Sequence, residues 1–188
     1  MMYKFGILKE IIKEKLYMAK KKSKKSSQNA ILVGLLLLII GVAATCMMFL
    51  DKGIAVISTS KLFGTTSTSY HTGLESIFGK VDDAGNTVLN PNWISIVGFL
   101  LPAVAGLFAL ICGLLKVRSK LPFALTSLLF LGGAVLIFLT AVGFKSANGG
   151  TVDYGDALTI KYALAVAPWV AGSLSVVGFL GSVCYVAL

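Results

Sequence analysis

Few side chains in this sequence are of a type that does chemistry, and their spacing decides whether they form a site. The one histidine, His71, stands between Tyr70 and Thr72 in a stretch rich in serine and threonine. A nucleophilic triad is made by position in space, and a lone histidine among hydroxyls does not declare one. His71 with Asp82 and Asp83 would be a metal set, yet their separation matches no recurring zinc-ligand spacing. Asp82-Asp83 and Asp153-x-x-Asp156 could hold Ca²⁺ if two loops met, but neither has the spacing of an EF-hand loop. Aspartate beside glycine and asparagine is ordinary turn chemistry. No glycine-rich phosphate loop is present. The expectation is a chain that is not an enzyme, with no catalytic residue, no cofactor and no metal.

The three cysteines, Cys46, Cys112 and Cys184, all lie inside apolar runs rather than in loops. They are expected to be small packing residues and not a disulfide framework.

The elements that would position any site are dominated by apolar sequence. Hydrophobic residues make up 56% of the 188 and charged residues 13%, against about 45–50% and about 25% in soluble domains. That excess needs more burial than the chain can offer itself. Four runs reach the roughly 20 residues that a bilayer demands: Ala30–Leu50, Trp93–Leu115, Leu121–Phe144 and Ala163–Leu188. None contains Lys, Arg, Asp, Glu or His. One charge at a helix centre costs about 2.5–3.5 kcal/mol on the insertion scale, so all four are expected to insert unaided. Lipid cannot satisfy backbone N–H and C=O groups, which makes the spans helical. The fold expected is an all-α integral membrane protein, a four-helix transmembrane bundle, divided into residues 1–29 and a membrane domain over 30–188.

The net charge of +9 would suggest nucleic acid if it were spread over a surface, but its placement points to topology. Nine lysines precede the first span against Glu10 and Glu14, and Lys116, Arg118 and Lys120 fill the turn at 116–120 without an acid. The loops 51–92 and 145–162 carry five lysines against six aspartates and glutamates. The positive-inside rule therefore puts both termini and the 116–120 turn in the cytoplasm of a multi-pass cell-membrane protein. Trp93, Tyr162 and Trp169 then fall near the outer interface. Ala43-Ala44-Thr45-Cys46 is a poor lipoprotein cleavage box, and the apolar run through Leu50 is too long for a signal-peptide core, so the first span is expected to be retained. Tyr3–Met18 has the spacing of an amphipathic helix on the inner leaflet, with Phe5, Leu8, Ile12 and Leu16 on one stripe, and Met18 offers a second start site.

The first outer loop, Asp51–Asn92, has 42 residues, too many for a bare connector. Val81–Val88 reads as a small β-hairpin around an Asp/Gly/Asn turn, Gly53–Thr59 is β-prone, and Leu74, Ile77 and Phe78 fit one turn of an interfacial helix. Within the spans, Ala105, Gly106, Ala109, Gly113, Gly132, Gly133, Ala171, Ser175, Gly178 and Ser182 recur at helical spacing and mark faces of close approach. Pro102 and Pro168 would free the carbonyls of Gly98 and Leu164 and kink spans two and four.

Four spans with a longer first outer loop resemble the layout of claudin-like and tetraspanin-like proteins. Those families build their loops around paired cysteines, and neither loop here has one, so no residue role is carried over. The expected partners are the lipid bilayer and either a second copy or another membrane protein, through the 51–92 loop, with no nucleic acid. Channel-like or transporter-accessory behaviour through Pro102 and Pro168 is the alternative, and an envelope or lipid enzyme a second. Ion-coupled transport is disfavoured by spans without ionisable groups.

Overall fold

The computed structural model describes residues 14, 28–60, 62–115, 117, 119–149 and 158–187. The expected amphipathic segment over Tyr3–Met18 lies outside them, save Glu14. Four helices are long and apolar enough to cross a bilayer: α1 (Gln28–Phe49), α3 (Trp93–Leu114), α4 (Leu121–Phe138) and α6 (Val166–Ala187). Each shows large apolar side chains on its outer surface, among them Leu36, Val104, Leu128 and Leu180, all more than half exposed. Water would not tolerate four such surfaces side by side, and lipid does. The chain is a multi-pass membrane protein.

Between the spans the chain forms β1 (Ile54–Ser60), β2 (Thr65–His71), α2 (Gly73–Phe78), β3 (Lys80–Val81), β4 (Thr87–Leu89), α5 (Thr140–Ala147) and β5 (Leu158–Leu164). The all-α expectation needs correcting here. Besides the small hairpin β3–β4 at the expected place, β2, β1 and β5 form a three-stranded antiparallel sheet in that order. Its central strand takes one neighbour from each long loop, with Ile54 opposite both His71 and Leu164. The sheet, the small hairpin and α2 form a cap on the end of the bundle where α5 lies.

Span boundaries shift for identifiable reasons. Ala163 and Leu164 belong to β5, and α6 starts at Val166. Pro168 is thus the third residue of α6, where the first-turn N–H groups have no helical partner to lose. There it removes no hydrogen bond from the interior of α6. The third span divides at Leu139, whose φ of −83° and ψ of 1° separate α4 from α5. The hydrogen bonds Leu139 N to Val135 O and Gly143 N to Leu139 O carry the helical path across. By itself α4 measures roughly 27 Å, slightly short of the hydrocarbon core of about 30 Å, and α5 supplies the remainder.

Along the bundle α1 lies on α3, α3 on α4 and α4 on α6. Phe123 and Phe130 of α4 fill the centre with Leu37, Ala105 and Ala109. Nearer the cap, Ile77 of α2 joins Phe99, Ile137 and Ala171, so the cap is packed into the bundle and not merely tethered to it.

Candidate functional site: the cap and the seams beneath it

The sheet stands on Phe144 of α5. This ring is fully buried, 5.7 Å from the His71 ring and 5.4 Å from the Tyr162 ring, so it touches both outer strands. His71 is therefore half-buried at the foot of β2, against an aromatic ring, and not a fully solvated loop residue. Its Nδ1 lies 3.7 Å from Glu75 Oε2. Glu75 is the third residue of α2 and closes a capping box: Thr72 Oγ1 accepts from the Glu75 N–H at 3.2 Å, and the Thr72 N–H donates to Glu75 Oε2 at 3.3 Å. Lys80 Nζ donates to Glu75 Oε1 at 2.8 Å and holds the carboxyl below its ordinary pKa. One Glu75 oxygen is thereby committed to the turn into α2 and the other to Lys80 beyond its far end. The bonds shown for the group are those of a helix cap.

Asp82 is also spent locally. Its Oδ1 accepts from the N–H groups of Ala84 at 3.0 Å and Asn86 at 2.7 Å, and its Oδ2 from Asn86 Nδ2 at 3.2 Å. These bonds, the Asn86 N–H foremost, lower its pKa and shape the turn of the β3–β4 hairpin, where Gly85 takes a φ of +84°. Asp83 is exposed beside it. Asp153 and Asp156 lie outside the described residues, among which no group of three metal-ligating side chains converges.

Two asparagines fasten the cap to the helices. Asn92 is fully buried; its Nδ2 donates to Thr140 O at 3.0 Å across the α4–α5 break, and its Oδ1 accepts from Ser95 N at 3.4 Å as the N-cap of α3. Gly143 leaves the space that Asn92 occupies. Asn90 donates from its N–H to Asn148 Oδ1 at 2.8 Å and from Nδ2 to Ala147 O at 3.0 Å. Neither residue stands out in the sequence. The readable signal was the Asn-Pro-Asn run ahead of an apolar helix, an N-cap signature.

The small residues lie in seams inside this one chain. A methyl group on Gly106 would stand 2.6 Å from Leu37 O, and one on Gly113 would stand 2.8 Å from Ala30 O, so both meet the backbone of α1. Ala105 and Ala109 are fully buried in the same region. The α1 side of the seam is Gly34, 2.8 Å from Ala109 O by the same construction, and Gly41, which abuts Pro102 O; sequence reading singled out neither. Gly133 faces the Pro102 ring and Gly132 the Leu101 side chain, both across the α3–α4 contact. On α6, Gly178 receives the Phe130 ring, Ser182 Oγ donates to Phe123 O at 2.6 Å, and Ser175 Oγ donates to its own helix at Ala171 O. Ala171, Ser175, Gly178 and Ser182 are all buried. Pro102 is fully buried between Gly41 and Gly133. Pro168 is buried at the head of α6.

Two exposed parts of the cap stand out. Strand β2, Thr-Thr-Ser-Thr-Ser-Tyr-His, lies at the edge of the sheet, is exposed along nearly its whole length and carries no lysine, acid or proline. At the turn joining it to β1, Leu62 and Phe63 are 72% and 81% exposed. Lower down, α2 exposes Leu74 and Phe78. No protein-family model matches this chain, and no curated protein matches its sequence.

Proposed function

We propose that this chain is a non-catalytic membrane protein that acts through protein contacts made by its cap, with the cap outside the cell and both termini in the cytoplasm. The lysine distribution supports the orientation. The partner is a second copy or a neighbouring membrane protein. The observation that carries the reading is the β1–β2 hairpin. An edge strand presents a row of unpaired N–H and C=O groups, and soluble folds guard such edges with charge, proline or a bulge. Strand β2 has none of these, and its pairing with β1 runs in unbroken register from Ile54–His71 to Ser60–Thr65. The hairpin ends in two apolar side chains, Leu62 and Phe63, that the described residues leave largely exposed. An added strand would complete the edge through main-chain bonds and cover the tip. The small-residue seams favour the cap over the helices as the contact, because they are occupied within the chain.

Particle mass in nanodiscs tests this. Particles of the unaltered protein should hold more than one chain or a co-purifying partner. The Leu62→Ser/Phe63→Ser double variant should revert to one chain per disc with its helical signal unchanged. A strict monomer without a partner before any substitution would overturn the proposal.

A further inference from the structure

The exposed apolar residues of α2 call for a different partner from those of the hairpin tip. Helix α2 lies across the ends of two spans: Gly73 N donates to Leu50 O at 2.8 Å, and Asn92 N donates to Ile77 O at 2.9 Å. Ile77 descends into the bundle among Met47, Met48, Ile96 and Phe99. The helix is therefore held at the level where α1 ends and α3 begins. At about 100° per residue, the buried residues Gly73, Ser76 and Ile77 share one face, which points into the bundle. Leu74 and Phe78 lie within about 40° of each other, Leu74 on the flank and Phe78 as far from the buried face as Glu75, which stands about 60° further round. The flank is open, with Leu74 39% and Phe78 50% exposed. The span ends nearby are open and apolar as well, with Phe49 63% and Trp93 71% exposed. The open apolar ends of α1 and α3 are thus hydrogen-bonded to a short helix whose Leu74 and Phe78 are open as well, while its Glu75 pairs with Lys80. Apolar side chains at the lipid boundary with a charged pair on the water side are the arrangement of an interfacial helix.

We propose that α2 is a lipid-interface anchor, with Leu74 and Phe78 set into the leaflet on the cap side beside Phe49 and Trp93. Lipid covers this flank, and the hairpin tip is left for protein. The tip is about 23 Å of strand away from Gly53, so one chain carries both environments and provides its own control.

A single-tryptophan experiment separates them. In full-length protein carrying Trp93→Phe and Trp169→Phe, both at exposed positions, a reporter is introduced as Phe78→Trp or, separately, as Phe63→Trp. Each is placed in liposomes made with plain or acyl-chain-brominated phosphatidylcholine and is also titrated with acrylamide. The Phe78→Trp reporter should lose most of its emission in brominated lipid and resist acrylamide. The Phe63→Trp reporter should not respond to bromine. Acrylamide quenching of the Phe78→Trp reporter without bromine quenching would place the flank in water and overturn the proposal. Protection from both quenchers would place it against protein and overturn it equally. Leu74→Trp repeats the measurement should Phe78→Trp disturb α2. None of these outcomes depends on how many chains a particle holds, so the assembly reading stands or falls separately.

Discussion

Single residues decide how closely the helices approach. Gly106 and Gly181 make the contrast sharp because both are helical glycines and only one is crowded. A methyl group at Gly106 would meet the backbone of α1 at Leu37 O, 2.6 Å away, with the Leu38 Cα also at 2.6 Å. Neither atom can swing aside, so α1 and α3 would have to separate along the seam that Gly34, Gly41 and Gly113 share. At Gly181 the same methyl meets only Leu37 Cδ2 at 3.7 Å, an ordinary contact. Gly106→Ala should therefore cost about 1–3 kcal/mol, the usual range for overpacking. Gly181→Ala should be neutral or slightly stabilising, since alanine is the better helix former. Thermal unfolding in a mild detergent, followed by accessibility of the buried Cys112 thiol, measures both. Equal melting of the two variants would remove the claim that α1 and α3 meet backbone to backbone.

At the scale of an element, α2 owes its existence to its cap rather than to its length. Six residues are too few for an isolated helix to persist in water. Thr72, Glu75 and Lys80 satisfy the ends, and Ile77 supplies the burial. Because the hydrogen bond from Lys80 lowers the Glu75 pKa in the folded chain, the carboxylate's contribution is present above the unfolded value near 4.5 and is lost as the pH falls through the lower folded value. Protection of the Ser76 and Gly79 amides from exchange should fall as the pH drops below the unfolded value of 4.5 and through the lower folded one, and Glu75→Gln should flatten that dependence while leaving the Asp82 turn to titrate separately. Unchanged exchange down to the lowest pH at which the helices persist would refute the role given to Glu75. The turn of helix at Leu74, Ile77 and Phe78 was legible, whereas its capping box went unread although Thr72-x-x-Glu75 ahead of an apolar pair is a recognisable signature. The spans were legible too, because a run without charge has one stable home. The sheet was harder. Gly53–Thr59 showed its β-propensity, but its partners come from Thr65–His71, whose hydroxyl-rich sequence has no alternation to read, and from Leu158–Leu164, which merges into the apolar run of α6. Strand pairing between segments a hundred residues apart leaves no local mark. The seams were half legible for a related reason: Gly106 and Gly113 suggested close approach, yet the facing surface on α1 becomes visible only when the helices are set side by side.

Taken as a whole, the molecule is closed at its two ends by different means. At the turn end, Lys120 reaches over to donate to Val186 O at 2.8 Å, placing a cation at the last turn of α6. At the cap end, β1 holds the loop between α1 and α3 to the loop between α4 and α6, and backbone pairing does there what a disulfide would otherwise do. The register specifies which residues meet: Ser58 faces Ile160, with both side chains on one side of the sheet, while Ile57 faces Lys161 on the other. Opposed side chains in an antiparallel pair lie about 4.5–5.5 Å apart at Cβ, close enough for a disulfide after a small adjustment. In a background cleared of Cys46, Cys112 and Cys184, Ser58→Cys with Ile160→Cys should form an intramolecular bond under mild oxidation and lose both free thiols to alkylation. Ile57→Cys with Ile160→Cys should keep them, because a shift of one residue turns the side chain to the opposite face. If the second pair bonded as readily as the first, the two loops would be neighbours without a register. The uncharged edge of β2 would then have no rigid frame on which to present itself to a partner.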